Sequence, residues 1–159
     1  MLIRRIEVKD NEAMAAIIRQ CLTEYGAAGR MDTAWGDKML DRLSEVYVLD
    51  TNGYWVAQDE QGQIVAGVGI GILDGETDIC ELQKMYCLAS CRGTGIAQAL
   101  LDTAIDFAKQ HYSKCYLETL ENMDRAKRFY EKNGFVHTCA TYGATGHGGC
   151  DFHYIKDLK

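Results

Sequence analysis

The segment Arg92-Gly93-Thr94-Gly95-Ile96-Ala97 constrains the fold of this chain more than any other, because it connects a strand pattern to a helix pattern. The strand pattern covers Ile79–Leu88, and the helix pattern covers Gly95–His111 with one apolar stripe along it. Glycines at 93 and 95 allow a tight turn that a ligand can approach closely. The first N–H groups of the helix then face the ligand, and the helix dipole and Arg92 both favour an anion. The turn therefore predicts a site for a phosphate group.

An ordinary strand-to-helix turn with incidental glycines explains the same residues, and the glycines alone do not decide between the two interpretations. A Walker A loop fits less well, because it ends in Gly-Lys-Ser/Thr and this turn continues as Ile96-Ala97-Gln98. A dinucleotide fingerprint requires Gly or Ala where Gln98 stands, within a parallel strand-helix-strand unit. The glycines of residues 67–71 lie inside a predicted strand with no helix after it, so we interpret them as structural.

Hydrophobic periodicity divides the rest of the chain into strands and helices. Helices are predicted after a cap at Asp10 or Asn11, over Trp35–Ser44, and over Met123–Asn133 with Gly134 as its C-cap. The other predicted strands are Leu2–Glu7, Tyr54–Gln58, Ile64–Ile72, Lys114–Thr119, Phe135–Tyr142 and Cys150–Ile155. The order β-α-α-β-β-β-α-β-α-β-β predicts an α/β (α+β) fold, with a mixed, mostly antiparallel sheet and helices on both faces.

Composition limits the classes of protein to which the chain can belong. Its 159 residues fit one domain, residues 1–159, with an ordinary hydrophobic content of 47%. Seven cysteines at irregular spacing, without an export signal, favour reduced thiols over a disulfide framework. A net charge of −6 argues against non-specific nucleic-acid binding. Without an apolar run long enough to span a membrane, we expect a cytoplasmic protein that binds neither nucleic acid nor membrane.

Two motifs at matching spacing resemble the GCN5-related N-acetyltransferase (GNAT) family. Its cofactor motif Gln/Arg-x-x-Gly-x-Gly/Ala is met by Arg92, Gly95 and Ala97, and its later Ala-x-x-x-Tyr-Glu-Lys-x-Gly-Phe motif is similar to residues 126–135. The stretch Glu81–Leu88 also looks like the fourth strand of that family. The resemblance spans nearly the whole chain. It implies acetyl-CoA as the acyl donor and central strands that splay into a V-shaped cleft.

The resemblance also implies positions for the cofactor. The pantetheine arm is expected along the strand at Met85, Tyr86 and Cys87, and the pyrophosphate on Arg92, Gly93, Thr94, Gly95, Ile96 and Ala97. Asn122 resembles a cofactor-side asparagine, although it lies one residue further from Tyr130 than in the commonest pattern. The N–H of Cys87 is expected to stabilise the oxyanion. Tyr25, Arg30 and Trp35 lie in the region that shapes acceptor pockets in this family, with surface decoration as the alternative.

Acyl transfer to an amine requires removal of a proton from the amine and protonation of the departing thiolate. Tyr130 is the expected acid, and packing on its helix is the alternative role. Glu81 is the first candidate for the base, against a solvated carboxylate at a strand end. His147 is the second, because the glycines around it permit movement over the site, against an exposed bystander. Tyr130 is also placed among the cofactor-binding residues.

The sequence therefore predicts an enzyme that transfers an acetyl group from acetyl-CoA to a primary amine, in a small molecule or a protein, by direct attack in a ternary complex. A non-catalytic acetyl-CoA-binding regulatory module, or an acyltransferase with a hydroxyl acceptor or a longer acyl chain, is the alternative. A homodimer is left open. No metal is expected, since the spacing of the histidines and cysteines near the C-terminus matches no standard zinc site.

Overall fold

The computed structural model describes residues 1–139, 142–143 and 152–159, and it contains one seven-stranded sheet in the order β1-β2-β3-β4-β5-β7-β6. Its strands are β1 (Leu2–Arg5), β2 (Gly53–Gln58), β3 (Ile64–Ile72), β4 (Ile79–Cys87), β5 (Lys114–Thr119), β6 (Val136–Thr138) and β7 (Phe152–Asp157). The β4–β5 pair is parallel, and the other neighbouring pairs are antiparallel. This mixed, mostly antiparallel sheet confirms the predicted fold class.

Helices cover both faces of the sheet. They are α1 (Asn11–Glu24), α2 (Leu43–Val46), α3 (Ile96–Lys109) and α4 (Asp124–Lys132). Side chains of β2 alternate between two cores, as expected for a strand buried on both faces. Tyr54 and Val56 pack with α1, whereas Trp55 and Ala57 pack with the apolar stripe of α3. None of the helices in the described part of the chain is both long and apolar enough to cross a membrane.

The predicted helix over Trp35–Ser44 is wrong in its extent. The structure has two 3-10 turns, Ala34–Gly36 and Leu40–Arg42, followed by the single turn of α2. A Cβ on Gly36 would clash with the carbonyl oxygen of Met31, so the chain turns tightly at this glycine. The amide of Asn11 fixes the start of α2 by accepting from the Ser44 N–H at 2.9 Å.

The structure places Asp10 at the N-cap position of the first helix, as predicted. Helix α1 begins at Asn11, and the Asp10 side chain makes no capping bond to it. Instead the Asp10 carboxylate accepts two hydrogen bonds from the Arg4 guanidinium, at 2.7 and 3.0 Å, and one from the Glu7 N–H at 2.8 Å. A charged donor nearby outcompetes the helix N–H groups for this buried carboxylate.

The sheet opens between β4 and β5. Their parallel register joins only Ile79–Glu81 to residues 114–116. Further along β4, an extra residue faces β3, since Gly67 pairs with Tyr86 but Gly69 pairs with Gln83. Lys84 lies in this bulge with φ of 47°, in the left-handed region. A bulge bends the strand that carries it, and here that strand borders the opening.

Candidate active site

A cleft of about 400 Å³ lies between the diverging ends of β4 and β5. Residues from both strands line it, together with the end of α1, the turn before α3 and one face of α4. Among the described residues that line it are Met85, Tyr86, Cys87, Arg92, Gly93, Ala97, Tyr25 and Tyr130, all of which the sequence analysis placed in the site. The cleft therefore brings the two sequence motifs together, although they are separated along the chain.

The glycine turn closes one end of the cleft. Gly93 and Gly95 have φ of 76° and 89°, a region that residues with a Cβ rarely adopt. The Thr94 hydroxyl donates to the Cys91 carbonyl and stabilises the turn. Helix α3 makes its first ladder bond from the Ala99 N–H to the Gly95 carbonyl, so the N–H groups of residues 96–98 precede the ladder. This geometry suits an anion such as a pyrophosphate.

Arg92 adds a cation at this end of the cleft. Its guanidinium donates to the Glu24 carboxylate at 2.8 Å, which connects the turn to the last residue of α1. Both side chains are only partly exposed. The guanidinium therefore has a fixed orientation beside the turn while retaining further N–H donors for a ligand.

Tyr130 lies on α4 and faces the cleft. It is 8% exposed, and its ring packs edge-on against Phe129 and Phe135. Burial, reinforced by the neighbouring Cys115 and Tyr25, raises the pKa of the phenol well above its ordinary value. The hydroxyl therefore stays protonated throughout the physiological range, and Tyr130 both packs and lines the cleft.

The end of β4 forms a wall of the cleft through Met85, Tyr86 and Cys87. The Tyr54 hydroxyl donates to the Lys84 carbonyl at 2.7 Å and supports the bulge from behind. Burial, with the nearby Cys91, raises the pKa of the Cys87 thiol to about 11. Because the thiolate is the reactive form, this thiol is a poor nucleophile, which favours direct transfer over an acyl-enzyme.

Glu81 is buried, at 5% exposure, on the face of β4 that Gln83 shares. The Gln83 amide donates to the Glu81 carboxylate at 2.7 Å and accepts from the Tyr47 hydroxyl at 2.6 Å. Glu81 pairs in register with Tyr116 of β5. Glu81 is not among the described residues that line the cleft.

Glu118 of β5 lines the cleft, and the sequence analysis did not select it. Its Oε2 accepts from the Tyr116 hydroxyl at 2.9 Å and lies 3.2 Å from Nδ1 of His153. The Tyr116 oxygen and that Nδ1 are themselves 2.6 Å apart. The signal available in the sequence was Glu118 itself, a charged residue within a strand with apolar neighbours. Its contact His153 lies on β7, far along the chain.

The other predicted site residues that the structure describes are not among those that line the cleft. The Asn122 amide donates to the Tyr25 carbonyl at 2.8 Å, and Arg30 forms an ion pair with Asp32. Trp35 packs against the core beneath α1. Thr94 and Gly95 belong to the glycine turn, and Ile96 is the first residue of α3. His147 lies outside the described residues, as does Cys150, and within the described ranges no group of three potential ligands could hold a metal.

Known proteins resemble this chain in sequence and in fold. The profile of the acetyltransferase (GNAT) family matches residues 12–135. The chain is 40% identical to the N-acetyltransferase YjgM of Escherichia coli K12, over 99% of this chain and 95% of that protein. A GNAT acetyltransferase structure from Staphylococcus aureus Mu50 superposes with a TM-score of 0.85 at 22% identity, covering 99% of both chains. The phosphinothricin acetyltransferase of Sinorhizobium meliloti, in complex with AcCoA, gives 0.74 at 17% identity, covering 99% of this chain and 88% of that one.

Proposed function

Because the chain belongs to the GNAT family of acetyltransferases, we propose that it transfers an acetyl group from acetyl-CoA to a primary amine by direct attack in a ternary complex. One observation carries the proposal: the cleft between β4 and β5 has the glycine turn at one end and Tyr130 on its wall. An anion site and a proton donor on one cleft are what a coenzyme A thioester requires.

The residues present suit acetyl-CoA. Its pyrophosphate would lie on residues 92–97, where the N–H groups that begin α3 precede the helix ladder and Arg92 adds a cation. Its pantetheine arm would follow Met85, Tyr86 and Cys87 along β4. Asn122, which donates to the carbonyl of the cleft residue Tyr25, stays a proposal for the cofactor side. A similar fold holds AcCoA in the phosphinothricin acetyltransferase structure, which supports the same use of the cleft here.

The chemistry follows from the charges of the reacting groups. An alkyl amine arrives as an ammonium ion and must lose a proton before its nitrogen attacks the thioester carbon. The Cys87 N–H would stabilise the oxyanion, and the C–S bond would then break. Tyr130 would protonate the departing thiolate, since burial keeps its phenol protonated. No metal enters this scheme.

For removal of the amine proton, Glu81 and His147 are the candidates from the sequence. The acceptor would be a small-molecule amine or a protein amine. Tyr25, which lines the cleft, is the best placed of the predicted acceptor residues. Arg30 and Trp35 stay proposals for the outer acceptor region, at the loop that follows α1.

Thiol-detected release of coenzyme A tests the proposal. The purified protein is incubated with acetyl-CoA and a panel of alkylamines, polyamines, amino acids and lysine peptides, with products identified by mass spectrometry. Acetylated amine forming in step with coenzyme A is the expected result. Calorimetric binding of acetyl-CoA without turnover over the whole panel would contradict the proposal and favour a regulatory module. Acetylation of a hydroxyl instead of an amine would overturn the proposed acceptor class.

A further inference from the structure

We propose that Glu118, on the wall of the cleft, takes the proton from the acceptor ammonium ion, with Tyr116 and His153 positioning its carboxylate. The inference rests on the proposed function and assigns its general base. It differs from the prediction made from the sequence, which placed the base at Glu81.

Glu118 borders the opening between β4 and β5. It lies on β5 two residues beyond Tyr116, the last β5 residue in register with β4, and it lines the cleft. Its side chain is 7% exposed, which leaves contact with the cleft but little with bulk water. The Glu81 carboxylate, on the neighbouring strand, accepts from the Gln83 amide, and Glu81 is not among the described residues that line the cleft. A general base must reach the proton that it removes, and Glu118 meets this condition.

Two neighbouring side chains contact the Glu118 carboxylate. The Tyr116 hydroxyl and the Nδ1 of His153 converge on Oε2, at 2.9 and 3.2 Å. Burial, with the adjacent Glu118, raises the pKa of the Tyr116 phenol, so this phenol stays a neutral donor. Such hydrogen bonds fix the orientation of a carboxylate. The His153 side chain is 17% exposed and offers a route by which a proton can pass towards solvent.

The charged and titratable groups around Glu118 lie on β4, α4 and β7. From β4, Glu81 lies beside Tyr116, and Lys84 lines the cleft. From α4, Arg125 lines the cleft, and from β7, His153 contacts Glu118. The Lys84 ammonium is paired with Asp37, so it is partly neutralised. A carboxylate with little solvent around it attracts an ammonium group more strongly than one in water.

The protons balance. One proton passes from the ammonium group to Glu118, and the resulting neutral nitrogen forms the C–N bond. The C–S bond then breaks as Tyr130 gives its proton to the sulfur, and the second proton of the nitrogen restores the Tyr130 phenol. The net products are the amide, coenzyme A and one proton, which leaves Glu118 for solvent.

The test compares Glu118→Gln and Glu81→Gln with the wild type, using two kinds of acceptor. Alkylamines are charged at about pH 8, whereas hydroxylamine is already neutral there and needs no base before attack. With alkylamines we expect Glu118→Gln to lower kcat/KM by about 100-fold or more, and with hydroxylamine by less than about threefold. In the wild type, kcat/KM for alkylamines is expected to fall towards acid pH. This acidic limb should disappear in Glu118→Gln and shift along the pH axis in Tyr116→Phe and His153→Gln.

Glu60→Gln, in the exposed turn between β2 and β3, is the matched control and should leave all profiles unchanged. Calorimetric binding of acetyl-CoA and thermal unfolding verify that each variant is folded. A Glu118→Gln enzyme that retains the wild-type rate and pH profile with alkylamines would overturn this inference alone. If Glu118→Gln behaves like the wild type and Glu81→Gln loses the acidic limb, Glu81 is the base instead. Absence of wild-type turnover with every amine would overturn the proposed function as well.

Discussion

The Arg92 guanidinium donates to the Glu24 carboxylate across 2.8 Å, so the cation beside the glycine turn is anchored to the end of α1. Two elements on opposite faces of the sheet are thereby joined at the mouth of the cleft. Because the ion pair orients the guanidinium in advance, less side-chain entropy is lost when an anion binds.

Replacement of this cation should weaken binding of acetyl-CoA. In Arg92→Ala we expect the dissociation constant for acetyl-CoA, measured by calorimetry, to rise by about 10- to 100-fold. This corresponds to loss of a hydrogen bond between charged groups worth about 1.5–3 kcal/mol. The value of kcat at saturating acetyl-CoA should change little, because the pyrophosphate does not react.

Arg19→Ala is the matched control, since Arg19 on α1 also pairs with a carboxylate, through two hydrogen bonds to Asp41. That pair is more exposed and does not border the cleft. Equal loss of acetyl-CoA affinity in the two variants would mean that Arg92 acts only through the overall charge of the protein.

The left-handed backbone at Gly95 should matter for both stability and binding. A Cβ there meets nothing within 4 Å, so Gly95→Ala introduces backbone strain without a steric clash. We expect a loss of about 1–2 kcal/mol, and hence a melting temperature lower by about 2–8 °C. Gly62→Ala, with φ of 80° in the turn after β2, should lose similar stability. Only Gly95→Ala should raise KM for acetyl-CoA. An equal rise of this KM in Gly62→Ala would contradict a role of the glycine turn before α3 in binding acetyl-CoA.

The fold was predictable where local signals agree with each other. The turn between β4 and α3 combines glycines, a strand and an amphipathic stripe within one short stretch, and the structure has all three there. The segment over Trp35–Ser44 has helical spacing as well, but Gly36 lies against the Met31 carbonyl and only short turns form. A tight local turn of this kind is invisible to hydrophobic periodicity.

The same limit applies to the candidate site. Tyr130 and the glycine turn belong to contiguous motifs, so the sequence was sufficient to select them. Glu118 gains its significance from His153, on a strand that pairs with β5 only in the folded chain. Because Tyr116 and His153 are 37 residues apart, no spacing rule connects them. Contacts between strands distant in sequence therefore carry the part of the site that the sequence analysis missed.

The Tyr130 hydroxyl is expected to act on the leaving thiolate and not on cofactor binding. Tyr130→Phe keeps the ring contacts and should lower kcat by about 100-fold or more, with the dissociation constant for acetyl-CoA unchanged. Tyr112→Phe is the control, since it removes a hydroxyl that donates to the Thr51 carbonyl at 2.7 Å. It should cost about 1 kcal/mol of stability and leave kcat unchanged. A fully active Tyr130→Phe enzyme would restrict Tyr130 to packing.

The buried pair of Asp10 and Arg4 should make stability depend on acid pH. Burial alone would raise the pKa of Asp10, but hydrogen bonds from Arg4 and the Glu7 N–H lower the pKa below its ordinary value. The resulting stabilisation is fully present above the unfolded pKa of about 3.9 and is lost as pH falls through the lower, folded pKa. Asp10→Asn should therefore reduce the free energy of unfolding by about 2 kcal/mol at neutral pH.

Urea unfolding of the wild type and of Asp10→Asn, from neutral pH down to about pH 3, measures this dependence. The difference between the two should shrink at the acid end, because the wild-type carboxylate then takes up a proton. Asp41→Asn removes a carboxylate from the exposed pair with Arg19, so its effect should stay within about 0.5 kcal/mol. A difference between wild type and Asp10→Asn that is constant over this pH range would show that the side-chain shape, and not its charge, stabilises the entry to α1.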